Sequence, residues 1–304
     1  MSLNPSTSDS ALRPNRPLQG IGLMLAGVFL LSVMDTLTKV AVAELSTPVL
    51  IACRTAVVML LTAPMVMRAG GLAVLRMRRP LGHLLRGALS VCSMLAFFEA
   101  LRHLPLATTI AICFASPLLM TVLSVPLLRE RVGRARWVAV MLGLCGVFVI
   151  IGPAVAGGTL GIGAVLALTA AFFYAAAMTC VRWLSSTETD LSMMVSQNAC
   201  MGLAGLVGLL FVPPTPPSPT MWGVIATSAA VLLASQRLTF RALRVAPVSA
   251  VAPFQYTELV WTALFGWLFW REWPGSHVWW GASLVVAAGL FSIWHERRRA
   301  MAVA

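Results

Sequence analysis

The chain has 304 residues, of which 59% are hydrophobic and only 11% are charged. A soluble domain carries roughly 25% charged residues, so this composition excludes a soluble globular protein and predicts a polytopic membrane protein. The formal net charge is +12, but the arginines occur in short clusters between apolar runs, as in "RMRRP" at 76–80. That distribution is typical of the positive-inside bias of membrane proteins, and we therefore expect no nucleic-acid partner.

Apolar runs long enough to cross a bilayer about 30 Å thick occur ten times along the chain. They lie at roughly 18–43, 46–67, 81–101, 105–128, 134–151, 160–184, 190–212, 220–243, 247–270 and 277–294. Breaks that contain turn residues separate them, such as "RAGG" and "PPTPPSP". The sequence therefore predicts an all-α membrane protein with ten transmembrane helices, between an N-terminal tail at 1–17 and a C-terminal tail at 295–304.

The arginines indicate which end of the bundle faces the cytoplasm. Ten crossings place both termini on one side, and the opposite side carries only Arg102 and Arg271. This asymmetry predicts cytoplasmic termini in the cell inner membrane. The side with the termini holds Arg13, Arg16, Arg68, Arg76, Arg78, Arg79, Arg86, Arg129, Arg131, Arg134, Arg136, Arg182, Arg241, Arg244, Arg297, Arg298 and Arg299.

The two halves of the chain repeat each other at a constant offset of 142 residues. The stretch "FEALRHLPLATT" at 98–109 parallels "FRALRVAPVSAV" at 240–251, and Arg129–Glu130 then falls on Arg271–Glu272. Gly133, Trp137 and Leu142 also have identical counterparts at this offset. We therefore expect one five-helix repeat at 18–151 and a second at 160–294.

An odd number of crossings in each repeat requires that the second repeat insert in the opposite orientation. Inverted repeats of this kind place a binding site near the bilayer midplane, and rocking of the halves gives alternating access. This pattern favours a secondary transporter, which needs no catalytic apparatus. The alternatives are a duplication kept only for packing, as in a channel or structural protein, and a membrane-embedded lipid-modifying enzyme.

The repeated stretches resemble the drug/metabolite transporter superfamily, in particular its EamA-type ten-helix members. The run "ATTIAICFASPLLMTVLSVPLLRERV" followed by "WVAVMLGLCGVFVII" is similar to the family's fourth and fifth helices, with a proline in mid-helix and an acid at the helix end. The second copy departs from this pattern, because Glu258 and Leu259 stand where the first copy has Ser116 and Pro117.

The resemblance implies two inverted repeats around a central cavity that is lined mainly by helices one, three, four, six, eight and nine. It also implies transport of a small solute such as an amino acid, sugar or nucleoside-like metabolite, by exchange or with ions. The stretch "MDTLTK" at 34–39, together with Arg54, resembles the branch that contains S-adenosylmethionine and rhamnose permeases.

Two charges interrupt the first apolar run: Asp35, and Lys39, which is the only lysine of the chain. A charge at membrane depth costs about 2.5–3.5 kcal/mol on insertion scales, so each needs a reason. Four residues apart, the two share one helix face and can pair. Arg54 on helix two lies at a similar depth. The cluster either locks helix one to helix two or faces the cavity and binds polar ends of the solute, and for Arg54 we favour packing.

Glu258 is the third charge at membrane depth. It lies near the middle of the predicted ninth helix at 247–270, next to Gln255 and Tyr256, which offer hydrogen bonds, and to Pro253, which favours a kink. We expect Glu258 to couple transport to protons or to bind an amine, with a purely structural carboxyl as the alternative. With a carboxylate bound at Arg54 or Lys39, the solute would be amphoteric.

Three further residues, Glu99, Arg237 and Arg241, fall near helix ends and are predicted gate or rim residues.

Glycines in the fifth and seventh helices favour close helix packing, either within the chain or in a homodimer. The sequence contains no phosphate loop, metal-ligand cluster or nucleophile–base arrangement, so no cofactor or metal is expected. The predicted partners are the lipid bilayer, a small solute and a proton or exchanged solute.

Overall fold

The computed structural model describes residues 17–128, 133–156, 161–184, 187–212, 216–246 and 251–303. Within these ranges the chain is helical and contains no β-strand. The α-helices are α1 Pro17–Glu44, α2 Thr47–Arg68, α3 Pro80–His103, α4 Leu106–Cys113, α5 Ser116–Leu128, α6 Arg134–Ala156, α7 Ile162–Leu184, α8 Asp190–Gly208, α9 Pro219–Val245, α10 Glu258–Trp270 and α11 Ser276–Val303. Two 3-10 helices, η1 at Gly71–Leu75 and η2 at Ala252–Thr257, complete the list.

These helices form ten segments, because α4 and α5 make up the fourth and η2 and α10 make up the ninth. In the described part of the chain, seven helices are long and apolar enough to cross a membrane. They are Leu18–Glu44, Thr47–Arg68, Pro80–His103, Leu106–Leu127, Ile162–Val181, Leu191–Gly208 and Pro219–Thr239, and Trp137–Gly152 and Ser276–Phe291 are shorter apolar helices. The prediction of an all-α membrane protein is confirmed.

The helices of the two repeats pack against each other in a reciprocal pattern. The most extensive contacts join α1 to α9, α3 to α7, α2 to α8 and α6 to α11. Thus the first segment of each repeat packs on the third segment of the other, the second on the second, and the fifth on the fifth. A two-fold axis that relates two inverted repeats produces this exchange of partners.

Close packing between the repeats depends on glycine. A Cβ added to Gly146 on α6 would lie 2.6 Å from the carbonyl oxygen of Gly281 on α11, so neither helix tolerates a side chain there. Gly205 and Gly208 on α8 face Ala52 and Pro48 on α2 in the same way. The glycines predicted to form packing faces are therefore used within the chain.

The sequence predicted one α-helix each for the fourth and ninth segments, but in the structure both segments are interrupted. In the fourth, α4 ends at Cys113 and α5 begins at Ser116, because Pro117 has no N–H to donate to the carbonyl of Cys113. In the ninth, the α-helix begins only at Glu258, after η2. The placement of Glu258 in mid-helix was therefore wrong, since it is the first residue of α10. Residues 247–250, where the ninth helix was predicted to start, lie outside the described residues.

Candidate functional site

A cavity of about 930 Å³ occupies the interior of the bundle. All six segments predicted to line it (the first, third, fourth, sixth, eighth and ninth) contribute residues. The second and seventh segments also contribute, through residues such as Arg54 on α2 and Gln197 on α8, and the tenth contributes Gly289. The broken fourth and ninth segments both meet the cavity at their breaks, through Phe114 and Tyr256.

The cavity extends from the middle of the bundle toward the end where α1 begins. On α1 the lining residues run from Met24 to Thr38, on α8 they occupy the first half of the helix, and on α9 they occupy the second half, at Leu232–Thr239. Beyond Thr38 a hydrophobic cluster fills the bundle, with Val42, Leu45, Val49, Leu50, Phe98, Leu101 and Leu106 among its members. This cluster closes the cavity toward the far end, called here the packed end, where a separate pocket of about 300 Å³ lies beside Leu104, Ile150 and Trp273.

Two of the predicted site residues, Asp35 and Glu258, come together in the cavity wall. Asp35 on α1 is 5% exposed, and its carboxyl lies within hydrogen-bonding distance of the carboxyl of Glu258 on α10. A carboxylate has no proton to donate, so a hydrogen bond between two carboxyls requires that one of them be protonated. This pair, which belongs to two different repeats, can thus hold one proton and one negative charge.

Arg54 completes the charged cluster. Its guanidinium interacts electrostatically with Asp35, and its Nη1 donates to Thr38 Oγ1 at 3.3 Å. Its Cζ also lies 5.9 Å from the centre of the Phe98 ring, which is a cation–π contact. Arg54 lines the cavity as well as packing against α1 and α3, so the packing role favoured from the sequence describes only part of its surroundings.

Lys39 does not pair with Asp35, and this prediction was wrong. Its Nζ donates to Glu272 Oε2 at 2.5 Å and to the Leu104 carbonyl at 3.4 Å, and it lies 4.8 Å from the centre of the Trp270 ring. The carboxyl of Glu272 attracts the ammonium to the packed end of the bundle, and Lys39 is not among the residues that line the cavity.

The other predicted site residues divide between the cavity and the helix ends. Gln255 and Tyr256 of η2 line the cavity, and Tyr256 packs edge-on against Phe114, with 5.4 Å between ring centres. Glu99 accepts a hydrogen bond from Thr47 at 2.7 Å and pairs with Arg102 at 3.3 Å, at the packed end. Arg237 and Arg241 are exposed on α9, near the end where the cavity opens.

Two features of the lining were not predicted from the sequence. The first is Tyr174 on α7, which faces the cavity together with the predicted Tyr256. Seven methionines also line it, which gives much of the wall a flexible and polarizable apolar surface that can adapt to a solute. These are Met24, Met34, Met94, Met120, Met178, Met194 and Met201. The sequence did carry a signal for Tyr174, because a tyrosine inside an apolar helix and away from its ends needs a polar environment for its hydroxyl.

A polar cluster between α3 and α8 was also missed. His83 Nδ1 lies 2.7 Å from Ser196 Oγ, and His83 Nε2 lies 3.3 Å from Glu188 Oε2. Glu188, in the loop before α8, also accepts hydrogen bonds from the backbone amides of Arg78 and Arg79. Desolvation raises the pKa of the Glu188 carboxyl, but these hydrogen bonds outweigh it and hold the pKa below its usual value.

Arg86, one turn further along α3, is buried, whereas the sequence analysis counted it only as one of the arginines on the side that carries the termini. Its Nη1 donates to the Met193 carbonyl at 2.6 Å, and its Nη2 donates to Gln197 Oε1. A single arginine in a run of surface arginines carries no sequence signal for burial, so only the fold reveals it.

Comparison with known proteins identifies the family. The sequence matches the EamA-like transporter family twice, over residues 18–152 and 161–294. It is 29% identical over 290 residues to a riboflavin transporter of Vibrio cholerae, covering 94% of this chain and 96% of that protein. It is 29% identical over 269 residues to the pseudopaline exporter CntI of Pseudomonas aeruginosa, covering 88% and 94% of the two chains.

A more distant relative is the S-adenosylmethionine uptake transporter of Rickettsia prowazekii, 26% identical over 230 residues, or 75% of this chain and 76% of that protein. One solved crystal structure superposes with a TM-score of 0.63 at 19% identity, over 92% of this chain and 98% of the other, and has the same fold. The relatives are transporters and not enzymes, as predicted. The chain is a multi-pass membrane transporter that belongs to the EamA-like transporter family.

Proposed function

We propose that the protein is a secondary active transporter that moves a small polar or amphoteric metabolite across the inner membrane by alternating access. One observation carries this proposal: the cavity that contains Asp35 and Glu258 reaches one end of the bundle, while a hydrophobic cluster separates it from the other end. A cavity with one open end is what a single state of an alternating-access cycle requires. A channel would need a continuous path through the bundle.

The carboxyl pair is the proposed centre of the solute site. Buried charges within transmembrane helices are costly, and they are retained mainly at solute and ion pathways. Asp35 and Glu258, assisted by Gln255 and Tyr256, bind a proton or the amine of the solute. Arg54 lies beside them and offers a cation to an anionic group of the solute.

The remaining predicted residues are assigned to the two ends of the pathway. Lys39, held by Glu272, closes the packed end, and Glu99 with Arg102 lies at the rim of that end. Arg237 and Arg241 are placed at the rim of the open end. With cytoplasmic termini, the cavity of this state opens to the cytoplasm, and the repeats at 18–151 and 160–294 exchange roles in the opposite state.

The names of the relatives supply the first solutes to test. Purified protein in liposomes loaded with unlabelled compound would be assayed for counterflow of radiolabelled riboflavin, S-adenosylmethionine and amino acids. Saturable counterflow that is lost in the Asp35→Asn/Glu258→Gln double variant supports the proposal. Protein-free liposomes and the Glu44→Gln variant, whose side chain is exposed at the end of α1, are the controls. Rapid, non-saturable passage of several unrelated compounds would identify a channel and contradict the proposal.

A further inference from the structure

Arg86 is a buried cation that has no carboxylate partner among the described residues. Its relative exposure is 6%, and its hydrogen-bond acceptors are the Met193 carbonyl and the Gln197 side chain. Its Nε has no hydrogen-bond partner in the part of the chain that the structure describes. Burial of an unpaired charge is costly, and Arg86 lies directly behind a residue of the cavity wall. We therefore expect the buried guanidinium of Arg86 to be stabilised by an anion that enters the cavity.

The contact with Arg86 fixes the orientation of the Gln197 side chain. Arginine only donates hydrogen bonds, so it must contact the oxygen of the Gln197 amide. The NH2 group of that amide is then directed away from Arg86, and Gln197 lines the cavity. The next residue, Asn198, also lines the cavity, but its Nδ2 donates to the Met194 carbonyl at 2.9 Å within α8. Gln197 thus presents its NH2 group to the solute, whereas Asn198 uses one of its two amide donors within α8.

Gln197 and the carboxyl pair belong to opposite walls of the cavity. α1 packs with α9 and α10, whereas α3 packs with α7 and α8. Along the bundle axis, Gly202 of α8 faces Thr55, the neighbour of Arg54. Gln197 precedes Gly202 by five residues, about 8 Å toward the open end at 1.5 Å per residue, and Asp35 precedes Thr38, the contact of Arg54, by three residues in the same direction. Gln197 and Asp35 therefore lie at similar levels on opposite walls, and the cavity between them is lined mainly by apolar side chains such as Met94, Met178 and Met201.

We propose that Gln197, oriented by Arg86, binds an anionic oxygen group of the solute, such as a carboxylate or phosphate. This group lies across the cavity from the end of the solute that binds at Asp35 and Glu258. The inference rests on the proposed function and narrows it to a solute that carries an anionic oxygen group.

The electrostatic part of this proposal can be tested without any transport assay. In a variant without the six native cysteines, Gln197→Cys is labelled with an anionic and a cationic methanethiosulfonate reagent, and Asn198→Cys serves as the control. Arg86 should make the ratio of anionic to cationic labelling rates at position 197 about tenfold higher than at 198. Arg86→Gln should abolish this preference, and Arg86→Lys, which keeps the charge, should retain it.

Equal labelling ratios at the two positions, or a preference that survives Arg86→Gln, would overturn the proposal. Unchanged labelling at position 198 shows that a variant is folded. Because no solute is required, a charge preference at 197 in a protein that fails to transport would contradict the proposed function and leave the anion subsite standing.

Discussion

Lys39 pairs with Glu272 across the two repeats, with 2.5 Å between Nζ and Oε2, and not with Asp35 one turn earlier on its own helix. The end of α10 makes this possible. Arg271 adopts a left-handed conformation with φ of 58°, and the amide of Glu272 donates back to the Gly266 carbonyl at 3.1 Å. A non-glycine residue in this region costs about 1–3 kcal/mol, so the position of Glu272 is imposed by its surroundings.

The Lys39–Glu272 pair should therefore support the packed end of the bundle. Lys39→Ala and Glu272→Ala should each destabilise the protein by about 1–3 kcal/mol, because each leaves a buried or half-buried partner without its hydrogen bond. The exchange Lys39→Glu/Glu272→Lys should restore much of the loss. Thermal unfolding of the detergent-solubilised variants measures these effects.

The matched control is the ion pair at the same end between Glu99 and Arg102. Its side chains are 42% and 29% exposed, so Glu99→Gln should cost no more than about 1 kcal/mol. If the exchange variant is no more stable than the single variants, the pair is not the reason for the loss.

A second prediction concerns Asp35 and Arg54. Asp35→Asn should lower transport and destabilise the protein by about 3–5 kcal/mol, because it leaves the buried Arg54 without its counter-ion. Arg54→Gln in the same chain should recover stability but not transport. A double-mutant cycle of melting temperatures and transport rates separates these two effects. Normal transport by Asp35→Asn would rule out any role for this carboxylate in the site.

A third prediction follows from the lowered pKa of Glu188. A carboxyl whose folded-state pKa lies below its unfolded value adds stability that is fully present above the unfolded pKa, near 4.3, and is lost as the pH falls through the folded pKa. The wild-type melting temperature should therefore fall more steeply than that of Glu188→Gln when the pH is lowered below about 4. Parallel pH profiles of the two proteins would show that the hydrogen bonds to His83, Arg78 and Arg79 do not stabilise the charged form.

The fourth prediction concerns topology. Cysteines introduced at positions 2 and 303, in a variant without native cysteines, should be inaccessible to a membrane-impermeant reagent in intact cells and accessible after permeabilisation. The reason is the excess of arginine at the end of the bundle that carries both termini. A cysteine at position 103, which is exposed at the packed end, is the positive control. Labelling of either terminus in intact cells would reverse the assigned direction of the cavity.

The fold could be predicted from the sequence because its causes are local or periodic. The apolar runs specify the segments, and the constant offset between "FEALRHLPLATT" and "FRALRVAPVSAV" specifies the duplication. The break in the fourth segment follows from Pro117, which removes a hydrogen-bond donor. The start of α10 at Glu258, after a 3-10 helix, depends on packing between η2 and α1, which the sequence does not encode locally.

The site could be predicted only in part, because charge pairing depends on which helices meet. Residue spacing suggested Lys39 as the partner of Asp35, since four residues separate them on one helix. The reciprocal packing of the repeats instead brings two acids of the second repeat to α1. Glu258 lies beside Asp35, and Glu272 pairs with Lys39. The burial of Arg86 was missed for the same reason, since nothing in its own helix indicates that α8 covers it.

The most direct test of the central claim is the behaviour of Glu258→Gln. With the solute found in the counterflow screen, proton-gradient-driven uptake and solute exchange would be measured in liposomes for wild type, Glu258→Gln and Glu272→Gln. The last variant is the matched control, because it removes the other acid of the same segment, outside the cavity.

If Glu258 carries the proton, its substitution by glutamine abolishes gradient-driven uptake and preserves exchange, and if it binds the amine, both activities fall by about tenfold or more. Glu272→Gln should keep the coupling of uptake to the gradient in either case. Wild-type rates of both uptake and exchange in Glu258→Gln would contradict the account and leave Glu258 as a structural residue.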